Sequence, residues 1–403
     1  MRIALVSQEY PPETAHGGIA TQTRVKAHGM AALGHEVFVV SHSTDHEKHV
    51  YYDGPVHVVR IPGFDEHLPL YTQAARWITY SANVAAEVAR LHAQVTLDLV
   101  DFPEYGGEAY VHLLNRTEWN PLPTVIQLHG PLVMLASTVG WPEPGSEFLR
   151  TGLAMEGTCL RLADAVYSSS RTSAEWCASH YGLDLEHIPV LHTGVDTELF
   201  RPVDVPKAGR PTVIFVGKLV ENKGTEILLE AAIALSGAYP DLHLRMLGRG
   251  EERVTTRLHN RAREAGCPNL LDLPGFVSHD ELPRHLSQAH VFAAPSRYEG
   301  GPGFVYLEAM ACGLPVIACR GSGAAEVVLP GHNGLLVGPD DVDELTAALN
   351  RLLSNPAERT TLGAQARAFA VSQADSGQCL RCLETFYTAV VTDGLDEWIG
   401  NRG

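Results

Sequence analysis

Short apolar runs alternate with longer amphipathic segments along almost the whole chain, in two successive series. In the first, Ile3–Val6, Val37–Val40, Val56–Arg60, Leu97–Asp101, Thr124–Leu128 and Ala165–Tyr167 have the apolar character of strands buried on both faces. Segments around 18–33, 72–93, 107–115, 145–162 and 171–181 carry helical spacing between them. The second series runs through Thr212–Val216, Leu242–Leu247, Leu270–Asp272, Val291–Ala294 and Val316–Ala318, with helices expected over 223–238, 250–266, 279–288, 304–312 and 340–353. Strands separated by helices pair in parallel, with the helices packed on the sheet faces. Two such series predict an α/β protein of two Rossmann-like, doubly wound domains, over residues 1–200 and 212–375. Between them Pro202, Pro206, Gly209 and Pro211 interrupt the pattern, so 201–211 reads as a linker. A length of 403 residues suits two such cores.

Charge and composition exclude several classes. The formal net charge of −17 argues against a nucleic-acid partner. No apolar run approaches the roughly 18 residues of a membrane helix, so membrane association is at most peripheral. The first strand begins at Arg2, which leaves no room for a signal peptide. Seven dispersed cysteines fit reduced thiols and a cytoplasmic protein. Cys379-x-x-Cys382 has redox spacing, but Leu383, Phe386 and Val390 continue a helical stripe, so it reads as packing. The 20 histidines include no HExxH, and no metal is expected.

The most specific stretch is P-S-R-Y-E-G-G-P-G-F-V-Y-L-E-A-M-A-C-G-L-P, from Pro295 to Pro315. A glycine-rich loop opening onto a helix presents unpaired amides and the positive dipole end to a phosphate. Glu299 and Glu308 cannot attract that phosphate; they suit hydroxyl donors such as a ribose or a sugar. A nucleotide sugar combines all three groups. Lys218 and Lys223 occupy the loop after the strand Thr212–Val216, at the carboxyl end where open α/β sheets bind ligands. That loop alone reads equally well as a solvated lysine pair, and only its company with the glutamate loop favours a diphosphate. In the first domain Gly17-Gly18 follows the first strand and His129-Gly130 follows Val125–Leu128. A lone histidine after a strand is otherwise a structural residue.

These motifs together resemble the family 4 glycosyltransferases of the GT-B class. The likeness runs nearly end to end, through Gly17-Gly18, His129-Gly130, Thr193-Gly-Val-Asp196 and Val216-Gly-Lys218 with Lys223-Gly224. It continues in Leu247-Gly-Arg-Gly250, Pro274-Gly-Phe-Val277, the Glu299–Glu308 loop with Ala-Met-Ala-Cys-Gly-Leu-Pro, and Asn333-Gly-Leu-Leu-Val337. The resemblance implies an acceptor-binding first domain, a nucleotide-sugar-binding second domain, and a last helix, about 376–403, crossing back to the first. It implies that Lys218 and Lys223 hold the diphosphate, that Glu308 accepts the ribose hydroxyls and that Glu299 accepts a sugar hydroxyl. Amides around Gly303, Phe304 and Val305 would touch phosphate and sugar, and Phe276-Val277 would flank the base. Gly17 and Gly18 would line the pyrophosphate and the acceptor cleft, and His129 would bind the transferred sugar near its reacting carbon. No cofactor or metal is implied beyond the nucleotide-sugar donor and a hydroxyl acceptor.

The chain departs from the family pattern at three points. Eight residues separate Glu299 from Glu308 where seven are usual, the extra one lying in Gly300–Gly303. Lys218 stands where arginine is common, and Thr193 where asparagine is. The resemblance is to retaining enzymes of that class, and retention through a covalent intermediate would need a nucleophilic carboxylate. Glu9, Glu13, Asp101 and Glu104 lie on suitable loops, but no motif singles one out, so the metal-independent front-face reaction that the resemblance implies is expected. A sugar-nucleotide 2-epimerase and a non-catalytic nucleotide-sugar-binding subunit are the other readings of these motifs. Acceptor choice would fall to loops around 8–20, 62–75, 103–107 and 130–147, where Trp77, Trp141, Tyr71 and Tyr105 serve either packing or sugar stacking.

Overall fold

The computed structural model describes residues 1–14, 18–45, 47–63, 74–119 and 121–400. The chain divides into two compact units, Met1–Thr193 with Gly377–Gly403, and Gly194–Ser376.

The first unit runs β1 (Arg2–Val6), α1 (Gly18–Ala32), β2 (Glu36–Ser43), β3 (His49–Asp53), β4 (Val56–Pro62), α2 (Ala75–Val95) and β5 (Leu99–Pro103). It continues with α3 (Tyr110–Leu114), β6 (Thr124–Leu128), α4 (Leu132–Val139), α5 (Glu147–Leu162), β7 (Ala165–Ser168) and α6 (Arg171–Tyr181). Seven strands lie in the order β3-β4-β2-β1-β5-β6-β7. All pair in parallel except β3, which forms an antiparallel edge on β4. The winding reverses at β1, which has β2 on one side and β5 on the other, so the loops leaving β1 and β5 part there and open a crevice.

The second unit contains β8 (Thr212–Val216), α7 (Thr225–Leu235), β9 (His243–Leu247), α8 (Glu252–Glu264), β10 (Leu271–Gly275) and α9 (Leu282–Gln288). Then come β11 (Val291–Ala294), α10 (Phe304–Ala311), β12 (Val316–Cys319), β13 (Gly334–Val337), α11 (Val342–Ser354) and α12 (Pro356–Gln373). Its six strands are all parallel, in the order β10-β9-β8-β11-β12-β13, and the winding reverses at β8. The stretch 201–211 lies inside this unit. Phe200 is buried in its core, the Val203 amide donates to Ser287 Oγ, and Lys207 Nζ donates to the Ala289 carbonyl at 2.6 Å.

The end of the chain forms α13 (Ser376–Val391) and α14 (Leu395–Gly400). Leu380, Leu383, Phe386, Tyr387 and Val390 of α13 join Ile3, Leu5, Val37 and Val39 in one core of the first unit. Asp393, at φ 54°, separates the two helices, and Trp398 packs edge-on to Phe386 with centroids 5.3 Å apart. Among the described residues no helix is long and apolar enough to cross a membrane.

Several elements escape the apolar pattern. The edge strand β3 alternates half-buried and exposed residues, so it lacks the continuous apolar signal of its neighbours. The four-residue strand β13 begins with a glycine and pairs on one side only, with β12. Residues 132–139 and 356–373 are helical where no helix was expected. The expected helix over 107–115 shortens to Tyr110–Leu114, preceded by a 3-10 turn at Tyr105–Gly107.

Candidate active site

In the second unit the loop leaving β8 turns through Glu221–Lys223 and enters α7 at Gly224. Gly224 has φ 71°, and a Cβ there would lie 2.3 Å from the Pro295 carbonyl oxygen. Only glycine lets this loop lie against the start of the loop leaving β11. Hydrogen bonds tie the two together: the Asn222 carbonyl accepts from the Arg297 amide at 2.9 Å and from Ser296 Oγ at 3.3 Å. Lys223 Nζ then donates to Glu299 Oε1 at 2.6 Å. The carbonyl of Glu299 accepts from the Gly323 amide, which anchors the glutamate loop on its other side. Lys218, on the same loop as Lys223, is exposed.

Gly303, at φ 70°, turns the chain into α10. The first-turn amides of Phe304 and Val305 have no acceptor within the helix and stand at its positive end. The structure therefore brings Lys223, Glu299, Gly303, Phe304 and Val305 to one place, where the sheet reverses between β8 and β11. Glu299, in the loop ahead of α10, is joined to Lys223 although its spacing to Glu308 is one residue longer than usual.

Glu308 sits one turn into α10 with its side chain 4% exposed, and His279 Nε2 lies 2.8 Å from its Oε1. His279 precedes α9, which begins at Leu282 rather than at residue 279, and its ring stands edge-on to Phe200 at 4.8 Å. No motif in the sequence links His279 to Glu308. Phe276 is 66% exposed, and the Arg249 guanidinium covers its ring at 4.9 Å. Val277 packs against the core of the unit.

In the first unit β6 delivers His129-Gly130 at its carboxyl end. The carboxylate of Glu104, fully buried just beyond β5, accepts from the His129 amide at 2.8 and 2.9 Å and from the Gly130 amide at 2.7 Å. Glu156 of α5, also fully buried, accepts from the Leu132 amide at 3.2 Å and from the Tyr181 hydroxyl at 2.7 Å. Burial pushes Glu104 up to about 7 and Glu108 up to about 8, and raises Glu156 well above the ordinary carboxyl range. Burial, with the Lys26 charge adding to it, pushes the His129 imidazole down to about 3, so the ring is neutral at physiological pH.

Two of the carboxylates considered as nucleophiles are engaged. Glu104 faces the His129 turn. Asp101 Oδ2 accepts from Lys26 Nζ at 2.6 Å, from the Tyr167 hydroxyl at 2.7 Å and from the Tyr387 hydroxyl of α13. Glu13 lies 3.2 Å from Arg60 Nε, and Glu9 is partly buried in the loop after β1. That loop is held by the fully buried Arg60, which donates to the carbonyls of Tyr10 and Pro11 and to Thr14 Oγ1. Gly18 is the exposed first residue of α1, while Gly17 and Tyr71 lie outside the described residues.

Comparison with known proteins adds an independent line. Residues 196–369 match the profile described as Glycosyl transferases group 1, and residues 16–199 the one described as Glycosyltransferase Family 4. A GDP-mannose-dependent alpha-(1-6)-phosphatidylinositol monomannoside mannosyltransferase of Mycolicibacterium smegmatis is 35% identical over 283 residues, covering 64% of this chain and 72% of that protein. A glycogen synthase of Mycobacterium tuberculosis is 27% identical over 384 residues, 93% of this chain and 90% of that one. Among solved structures, a sucrose-phosphate synthase from Thermosynechococcus elongatus superposes with a TM-score of 0.80 at 23% identity, over 97% of this chain and 99% of that one.

Proposed function

The chain belongs to the family 4 glycosyltransferases and has the GT-B fold, and on that premise we propose that it moves a sugar from a nucleoside-diphosphate sugar to an acceptor hydroxyl, with retention of configuration and without a metal ion. The observation that carries the reading is the meeting of Lys223, Glu299 and the amino end of α10 where the second sheet reverses. An ammonium group and two open helix amides suit a diphosphate, and they supply the positive charge that a metal would otherwise bring. The two carboxylates then serve hydroxyls: Glu299 those of the sugar, and Glu308, buried and oriented by His279, those of the ribose.

As the bond to the sugar breaks, negative charge builds on the departing diphosphate. Lys223, Lys218 and the amides of Phe304 and Val305 stabilise it. Neutral His129, in a turn held by Glu104, donates a hydrogen bond to a sugar hydroxyl without placing a second positive charge near the reacting carbon. Asp101 and Glu104 are committed to buried hydrogen bonds. This favours front-face retention, in which the leaving phosphate takes the acceptor proton and the protein contributes positioning and charge.

The test is a thermal-shift panel of GDP, UDP and ADP and their sugar conjugates, run with magnesium and again in EDTA. GDP-mannose comes first, because the mannosyltransferases at 34–35% identity carry that donor in their names. A single nucleotide that raises the melting temperature supports the site and identifies the base. No shift with any of them removes the donor reading, and a shift abolished by EDTA removes the metal-free one. Retention is read from the anomeric coupling of the product by NMR.

A further inference from the structure

Four aromatic rings stand beside the His129 turn. Trp77 of α2 stacks on Phe148 of α5, with centroids 4.6 Å apart and planes 20° apart. Tyr105 meets Trp77 edge-on at 5.4 Å. Trp141, in the segment between α4 and α5, lies nearly parallel to Tyr105, at 6.3 Å and 18°, and edge-on to Phe148 at 6.1 Å. Trp77 is buried and Tyr105 and Phe148 are half-buried, whereas Trp141 is 45% exposed.

The placement gives the exposed indole its meaning. Tyr105 directly follows Glu104, whose carboxylate holds the amides of His129 and Gly130. Trp77 packs with Leu132 and Ala136 of α4, the helix that begins just after that turn. The ring cluster is therefore continuous with the loops that close the carboxyl end of the first sheet. An indole braced by two neighbouring rings loses little freedom when a ligand settles on it, which is why rigid aromatic side chains make effective anchors. A pyranose offers such a surface one face of C–H bonds while its hydroxyls point outward.

The surrounding charge narrows the ligand further. Glu143 and Glu147, close to Trp141 in the chain, are exposed, whereas Glu104, Glu108 and Glu156 are buried and held toward their protonated form. The nearby cation Arg150 is turned to the Gly145 carbonyl. A phosphate placed on this ring would be repelled by the Glu143 and Glu147 carboxylates, whereas a neutral sugar would not be.

We propose that Trp141, braced by Tyr105 and Phe148, is the platform on which a neutral pyranose ring of the acceptor stacks, so that the acceptor is itself a glycoside. The inference rests on the glycosyltransferase reading and names the substrate class of its second site.

Saturation-transfer NMR tests it. Methyl α-D-mannopyranoside, methyl α-D-glucopyranoside and myo-inositol 1-phosphate are offered to the full chain in the presence of the stabilising nucleotide. The wild-type protein is expected to saturate the ring C–H signals of at least one methyl glycoside. In Trp141→Ala that signal should fall by about threefold or more, and Trp141→Phe should keep most of it, as expected for one aromatic contact. The nucleotide thermal shift should be the same in all three proteins. Equal saturation in wild type and Trp141→Ala overturns the proposal. So does no glycoside saturation in wild type, or stronger saturation of the inositol phosphate. A wild-type protein that no nucleotide stabilises fails the underlying reading. One that is stabilised, yet shows no Trp141-dependent saturation, fails this inference alone.

Discussion

Lys223 Nζ lies 2.6 Å from Glu299 Oε1, joining two loops whose residues stand 76 positions apart in the chain. Their side chains keep 26% and 15% of their exposure, so the pair is partly desolvated. Partly exposed ion pairs contribute little to stability. On the proposed reading the value of this one is positional: Glu299 holds the ammonium at the reversal point of the sheet, where a phosphate would meet it.

Lys223→Ala is therefore expected to leave the melting temperature almost unchanged and to lower kcat by about 100-fold or more, the scale of losing one donor to a developing oxyanion. Steady-state kinetics with the donor identified by thermal shift measure it. Near-normal turnover would sink the diphosphate role.

Glu308→Ala removes a buried charged acceptor whose protein partner is His279. Donor binding should weaken by about 1.5–3 kcal/mol, read by calorimetry with the nucleotide alone. His279→Ala should cost less, because it changes the orientation of the carboxylate and leaves the acceptor in place. Unchanged affinity in Glu308→Ala would remove that residue from the site.

Glu104 separates a positioning role from a nucleophilic one. Glu104→Ala orphans the buried amides of His129 and Gly130 and should cost about 1–3 kcal/mol of stability for each. Glu104→Gln keeps one oxygen able to accept from both amides, so it should fold and retain measurable turnover. A stable Glu104→Gln protein with no turnover at all would make this carboxylate the nucleophile.

The buried acids give the first unit a pH signature. Glu104 and Glu108 titrate near 7 and 8 when folded, against an ordinary 4.5, so the folded chain keeps protons that the unfolded chain has lost. Their contribution is fully present below about 4.5 and fades as pH rises through about 8. His129 and His112 are lowered to about 3 and about 4, from 6.5, and act in the opposite direction, costing stability only as pH falls below 6.5. Between about pH 6.5 and 8 the glutamates act without that opposition, and stability should decline with rising pH. Thermal melts across that range check it, and Glu108→Gln should flatten the slope. A flat wild-type profile would mean that both carboxyls ionise in the ordinary range.

Much of this protein is legible in one dimension. The strands β1, β2, β6, β8 and β11 are continuous apolar runs because both sheet faces are covered, and that requirement is written locally. The edge strand β3 meets half of that requirement and leaves half of its signal. The glutamate loop, the lysine loop and the His129 turn stand out because the phosphate and hydroxyl recognition proposed for them demands particular residues at short spacing.

The sequence by itself determined two doubly wound domains and pointed to the chemical class proposed for the donor, since apolar periodicity and turn chemistry act over a few residues. Only the tertiary structure decided which carboxylates are engaged by buried donors. Asp101 is taken by Lys26 and by Tyr387, which lies 286 positions away, and Glu104 by the His129 turn, whereas Glu308 is oriented by His279. A carboxylate becomes structural or functional according to which donors reach it, and those donors meet it only after strand order and register have been set.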